Sequence, residues 1–313
     1  METIDDEVTE HALRFMGEAH KADKPFFLWY NTTAMHFRTH MAKKHEGKSG
    51  QGFYNDVMVA HDEHIGEMLN KLDELGIAED TIVMYSTDNG PHYNSWPDAG
   101  ITPFRSEKNT NWEGGWRVPA FVRWPGKIKA GSVLNGIVTH QDWLATFLAA
   151  AGDPDIKEKL LVGHKAGNKT FKVHIDGFNM LPYLTGEVKD SPRQTFFYIS
   201  DDGDILAIRH QDWKAVLMEQ RAFGMDTWAE PFVPLRIPHF FHLRRDPFER
   251  AYESSNTYWD WLISHAYLIY GMQAVVAQQL ENFIKYPPRQ KAAAFNLEAV
   301  MRQLEEATSS KSH

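Results

Sequence analysis

The chain has no cysteine. That absence excludes disulfides, thiolate-ligated zinc, iron–sulfur clusters and an encoded thiol nucleophile, while leaving the cellular compartment open. Basic blocks are missing too. With a formal net charge of −9 and no clustered Lys and Arg to displace counterions, the chain is not expected to bind nucleic acid. No run reaches the ~20 apolar residues of a membrane span. The opening Met1-Glu2-Thr3-Ile4-Asp5-Asp6-Glu7 is acidic and lacks the apolar centre of an export signal. A soluble chain without a membrane partner and without a signal peptide is therefore expected. Internal repeats and low-complexity tracts are also absent.

What is present is a core-forming composition. The 313 residues are 42% hydrophobic and 13% aromatic, enough for one large or two medium domains. Residues 4–20 place Val8, His11, Ala12, Phe15, Met16 and Ala19 at helical spacing, with acids early and bases late. Lys24-Pro25 ends that helix, and Phe26-Phe27-Leu28-Trp29-Tyr30-Asn31 reads as a short buried strand. A second helix runs from Tyr54 to Leu75 with Gly76 at its C-terminal cap, followed by a strand from Thr81 to Thr87. This order predicts an α/β layer with a mainly parallel sheet, whose ligands gather at the carboxyl ends of strands. Pro119 to Gly126 reads as strand and turn, Gln141 to Ala151 as a short helix, and 153–190 as an extended connection. Beyond it, Thr195–Ile199, Ile205–Arg209, Trp213–Met218 and His239–Leu243 have the spacing of a small antiparallel sheet. Trp259 to Ile284 and Leu297 to Glu306 are helical by pattern.

Two patches carry chemistry. Asp88-Asn89-Gly90-Pro91 puts a carboxylate and an amide oxygen on a sharp turn at a strand end, and hard cations prefer such oxygens. The same tetrapeptide is also ordinary turn chemistry, and two ligands do not complete a calcium site of 6–8 oxygens. The second patch, Arg105 to Pro119, contains Lys108, a compact charge suited to an anionic oxygen, in a loop where small residues let backbone approach a ligand. The plainer reading makes Arg105 and Lys108 solvated loop cations, and Trp112 and Trp116 cover for the sheet. His36 follows the first strand after a few loop residues, where an imidazole can protonate a leaving oxygen, with His40 as the alternative. Trp96, Phe104, Trp112 and Trp116 are candidates either for an aryl pocket or for packing. His61 and His64, at i and i+3, read as a helix face; His-Glu-x-x-His is absent.

In their order these motifs resemble the sulfatase family of the alkaline phosphatase superfamily, particularly bacterial arylsulfatases. Thr81 to Pro91 is similar to the family strand that ends in a metal-binding Asp-Asn. Lys108-Asn109-Thr110-Asn111-Trp112-Glu113-Gly114-Gly115-Trp116-Arg117-Val118-Pro119 is similar to its lysine loop. The resemblance implies an alkaline phosphatase-like mixed sheet flanked by helices, incomplete here, with a smaller C-terminal α+β subdomain containing a short antiparallel sheet. It places a partial catalytic domain at 1–190 and that subdomain at 191–313. It further implies Asp88 and Asn89 as ligands of Ca2+ or Mg2+, Lys108 on the sulfate, and His36 assisting the leaving group. The substrate would be a sulfate ester, a small molecule or a sulfated glycan.

One departure is larger than the rest. The family attacks through a formylglycine made from Cys/Ser-x-Pro-x-Arg, and that motif is not encoded; Ser191-Pro192-Arg193 has the wrong spacing. Nor does Asp5-Asp6 follow an apolar strand, as the family's paired aspartates do. The chain therefore reads as the C-terminal part of a sulfatase catalytic domain, inactive alone and prone to self-association through an exposed sheet edge. Two alternatives are a catalytically inactive remnant that binds an anion or partner, and a phosphodiesterase or phosphonate hydrolase of the same superfamily. Family members are often periplasmic or secreted, and the compartment stays open. Ser106 stands where the family commonly has glycine.

Overall fold

A computed structural model of the chain describes residues 1–95, 97–287, 289 and 301. Among them the chain order is α1 (Ile4–Lys21), α2 (Phe53–Glu74), β1 (Val83–Ser86), α3 (Glu113–Trp116), β2 (Ala120–Arg123), α4 (Asp142–Ala150), α5 (Ile156–Val162), β3 (His164–Ala166), β4 (Lys169–Phe171), α6 (Leu181–Thr185), β5 (Thr195–Ile199), β6 (Ile205–His210), β7 (Trp213–Glu219), β8 (Val233–His242), α7 (Ala251–Ser254), α8 (Tyr258–Ser264) and α9 (Tyr267–Lys285). The expected helix at Leu297 to Glu306 lies outside the described residues. No helix among the described residues is long and apolar enough to cross a membrane.

The chain divides into two compact units. One comprises Met1–Asn135, Pro182–Lys189 and Ala222–Ala229; the other comprises Gly136–Leu181, Asp190–Arg221 and the chain from Glu230 on.

In the first unit, α1 carries Asp5, Asp6 and Glu7 in its first turn and His20 and Lys21 in its last, each complementing the helix dipole. It buries Ala12 and Met16, and α2 buries Val57, Ala60 and Leu72. Gly76, at φ 69°, ends α2: its N–H reaches Asp73 O at 3.1 Å and the Ile77 N–H reaches Leu72 O at 3.1 Å. That crossed pair satisfies two of the helix's last carbonyls.

Two expectations for the sheet differ from the structure. Phe26 to Tyr30 forms no ladder among the described residues, although it keeps strand-like alternation, with Phe26, Leu28 and Tyr30 half-buried and Phe27 and Trp29 exposed. Its inward side is tied to α1 through Tyr30 Oη, 2.7 Å from Thr9 Oγ1. The β1 strand pairs only with β2, antiparallel from Val83↔Arg123 to Ser86↔Ala120, so a mainly parallel layer is not what the described residues form. An apolar run records the burial a segment seeks, not which strand lies beside it.

The second unit holds the antiparallel sheet in the order β5-β6-β7-β8, as the spacing predicts. Ile208, Ala215 and Phe240 form its core with Tyr258, Leu262 and Met272 from α8 and α9. Tyr258 Oη covers the free edge of β8, accepting from the Phe240 N–H at 2.9 Å and donating to the Phe240 carbonyl at 3.0 Å. Burial pushes its phenol up to about 12. The expected extended connection at 153–190 instead contains α5 and the β3–β4 hairpin, with α5 burying Ile156 and Leu160 beside Ala145. Asp142 and Arg193, both buried, form a forked ion pair, the closest approach being Arg193 Nη2 to Asp142 Oδ1 at 2.6 Å. Arg193 is thereby committed to α4, which accounts structurally for an Arg in a sequence that only partly imitates a nucleophile motif.

Candidate active site

The turn after β1 and the loop before α3 interlock through glycines. The Gly90 N–H donates to Gly115 O at 3.0 Å, and a Cβ on Gly90 would lie 1.8 Å from Gly114 O. The Gly114 N–H donates to Arg105 O at 2.7 Å, and a Cβ there would lie 2.2 Å from Ser106 O. A Cβ on Gly115 would meet Glu107 O at 2.4 Å. Side chains at these three positions would push the two loops apart. The Lys108 N–H closes the assembly by donating to Pro91 O at 2.9 Å. Asp88-Asn89 and Lys108 are thus carried by one backbone-locked piece.

Within it, Asp88 is exposed, and its Oδ1 accepts the Asn89 N–H at 3.0 Å. The Asn89 Nδ2 donates to Gly90 O at 2.8 Å, which leaves Oδ1 as the acceptor of that amide. One carboxylate and one amide oxygen on a strand-end turn fit a hard cation as part of its ligand set. Asp5 and Asp6 do not add to it: both lie on α1, Asp5 accepting from the Thr33 and Ala34 N–H groups at 2.7 and 3.1 Å. Lys108 is half-buried, its ammonium 5.9 Å from the centre of the Trp228 ring.

His36 is exposed, its ring 4.6 Å from Phe37, which stacks on His92 at 6.0 Å. Burial lowers the His92 pKa; Glu107 opposes that effect, and the charges of Lys108 and His36 reinforce it. His36 and Lys108 therefore share His92 as an electrostatic neighbour. His40 instead lines a small cavity with Asp5, Asp6, His45, His61 and His64.

The aromatic residues divide between packing and the loop frame. Trp112 is 2% exposed beneath the Arg105 guanidinium, 3.5 Å from its ring centre, and Trp116 Nε1 donates to Thr110 O at 2.6 Å. Phe104 lies under Arg117 at 4.5 Å. These three serve the frame, and Trp96 lies outside the described residues.

A family model described as Sulfatase matches residues 1–153. Arylsulfatase A of Homo sapiens is 30% identical over 246 residues, covering 75% of this chain and 45% of its own length. N-acetylgalactosamine-6-sulfatase of Mus musculus is 31% identical over 261 residues, covering 77% and 47% respectively. Among solved structures, the PsFucS1 sulfatase from Pseudoalteromonas sp. aligns with a TM-score of 0.73 and 28% identity, over 91% of this chain and 54% of that one. The chain belongs to the sulfatase family.

Its fold is accordingly alkaline phosphatase-like, with mixed α/β elements and small antiparallel sheets. The chain spans about half the length of the curated relatives it matches.

Three residues of this candidate site escape sequence reasoning. His92 directly follows the metal-type turn, which was its one available signal. Glu107, fully buried, accepts from the Tyr93 N–H at 2.6 Å and the Gly224 N–H at 2.7 Å and lies 3.6 Å from His92 Nδ1. Trp228 Nε1 donates to His92 Nε2 at 3.2 Å. Residues 222–229 thus return across more than a hundred positions to frame the lysine loop, and Asn109 Nδ2 fixes them by donating to Thr227 O at 2.8 Å.

In the same loop, Ser106 occupies a strained position. Its φ is 61°, a left-handed conformation that favours glycine.

Proposed function

We propose that this chain supplies the lysine-loop side of a sulfatase active site that hydrolyses sulfate esters. The observation that carries the reading is the glycine interlock, which joins Asp88, Asn89 and Lys108 into one unit at the end of β1. In this reading the Lys108 ammonium binds a sulfuryl oxygen and the bridging oxygen, where a compact positive charge opposes the negative charge of the ester. His36 donates a proton to the leaving oxygen, and His92, whose pKa burial lowers against the opposing effect of Glu107, lies near both Lys108 and His36. Asp88 and Asn89 would hold Ca2+ or Mg2+, which when bound neutralises charge on the sulfuryl oxygens. The nucleophile would come from outside these 313 residues, since Cys/Ser-x-Pro-x-Arg is not among them.

The substrate class is a sulfate ester, with a sulfated sugar favoured by the name of the mouse relative. The test has two arms. The chain alone, given a chromogenic aryl sulfate with Ca2+ or Mg2+, should show no turnover; metal-dependent turnover would mean that a nucleophile exists within it. In a longer protein that carries the formylglycine motif and turns the ester over, Lys108→Ala should cut kcat/KM by orders of magnitude with an unchanged unfolding midpoint. Undiminished turnover removes Lys108 from the chemistry, and preferential turnover of the matching phosphate ester would reassign the site to phosphoryl transfer.

A further inference from the structure

A second cluster of ligating side chains lies away from the lysine loop, where α1 meets α2. Asp6 Oδ1 is 2.7 Å from His64 Nε2 and 3.5 Å from His45 Nε2, and all three ligand atoms fall within 4.8 Å of one another. Both imidazoles are buried, their side chains 5% and 6% exposed. His45 Nε2 is shielded from solvent and makes no hydrogen bond. An orphaned ring nitrogen aimed at a carboxylate is costly to keep without a partner. The cluster borders a cavity of about 10 Å³ lined also by Asp5, His40 and His61, which is space for a single ion or water.

The far side of His45 is organised as well. Its Nδ1 lies 3.0 Å from Glu63 Oε2, and Lys48 Nζ holds both Glu63 oxygens at 2.7 Å while standing 3.3 Å from that Nδ1. A carboxylate only accepts, so Glu63 at 3.0 Å, the nearer of the two groups, favours the proton on Nδ1 against the opposing donor Lys48 at 3.3 Å, and with it a lone pair on Nε2 facing the cluster. A carboxylate behind a ligating imidazole is the arrangement that fixes tautomer and ring orientation at metal sites.

We propose that Asp6, His45 and His64 form a binding site for a zinc-class transition-metal ion. Two imidazoles and one carboxylate suit such an ion and do not suit calcium or magnesium, which take oxygen ligands. Ligand atoms 2.0–2.1 Å from a tetrahedral ion sit roughly 3.3 Å apart. The 3.5 Å separation already has that size, and the 2.7 Å pair needs to open by roughly 0.6 Å. Lys44 Nζ, 3.0 Å from Asp6 Oδ1, is the competing cation, and its side chain is 59% exposed, so it can swing into solvent when an ion enters. A water would fill the fourth position.

The experiment is a titration of the metal-stripped chain with Zn2+, read by calorimetry, with Co2+ substitution read by visible absorption. One ion per chain should bind at micromolar metal or below, raise the urea midpoint, and give a four-coordinate Co2+ spectrum. Excess Ca2+ should not displace it. His45→Gln and His64→Gln should each abolish binding. Glu63→Gln, at an exposed position where unfolding is not at issue, should weaken it about 10- to 100-fold. No saturable binding by the wild-type chain would overturn the assignment. So would equal affinity in all three variants, which would put the ion elsewhere among the 16 histidines. Displacement by Ca2+ would also refute it, pointing to an oxygen site.

Discussion

Substituting Gly90 by alanine tests the interlock on which the site rests. The new methyl carbon would lie 1.8 Å from the Gly114 carbonyl oxygen and 3.1 Å from the Gly115 carbonyl carbon, and both obstacles are backbone. Neither can rotate away, so the turn itself must shift, breaking the 3.0 Å bond from the Gly90 N–H to Gly115 O. Overpacking costs about 1–3 kcal/mol and stranding a buried amide about 1–3 more, so the expected loss is about 2–6 kcal/mol. At a urea m-value of about 2–3 kcal/mol/M, the midpoint should fall by roughly 0.7–3 M. Gly66, inside α2 with nothing within 4 Å of where a Cβ would lie, is the control. Its alanine variant should gain up to about 1 kcal/mol because glycine is a poor helix former. Hydrogen exchange localises the effect: amides of residues 90, 108 and 114 should exchange faster in Gly90→Ala and unchanged in Gly66→Ala. An unshifted midpoint together with unchanged exchange at those amides would refute the interlock.

Three further outcomes follow from local geometry. Ser106→Gly should stabilise the chain by about 0.5–1 kcal/mol in urea unfolding, because relief of the left-handed conformation exceeds the added unfolded-state entropy. Tyr258→Phe should cost about 1–3 kcal/mol, since it strands both the N–H and the carbonyl of Phe240. His92 has a pKa below the ordinary imidazole value, so the unfolded chain takes up a proton that the folded chain refuses. Stability should therefore fall as pH drops below about 6.5, and the fall between about pH 7.5 and about pH 5.5 should be shallower in His92→Gln. An equal slope in both proteins would remove His92 from the acid response.

What the sequence revealed depended on how local each signal was. Helical spacing and the cap at Gly76 located α1 and α2, and period-two runs located β5 to β7, because those patterns are written within a few residues. The glycines of the motif turn and the lysine loop proved to be sites of close backbone approach. Sheet partners were not legible: Phe26 to Tyr30 has the alternation of a strand, but alternation does not say what lies alongside. No local pattern marked Glu107, which is fully buried and anchors the amides of Tyr93 and Gly224. The clustering of Asp6, His45 and His64 was equally hidden. His64 seemed to belong with its helical neighbour His61, whereas its partner Asp6 lies 58 positions away.

The glycine interlock also bears on the entropy of anion capture. Arranging a lysine and two oxygen ligands around a ligand normally costs orientational freedom at the moment of binding. Here the backbone that carries them is ordered during folding, by amide bonds and van der Waals contact between chain segments that have no side chains to separate them. What remain for the encounter are the side-chain rotamers of Asp88, Asn89 and Lys108. Under the proposed function, a sulfate would meet a backbone already in place, so its affinity should track local folding stability: whatever loosens Gly90 from Gly115 would weaken anion binding without touching a ligand.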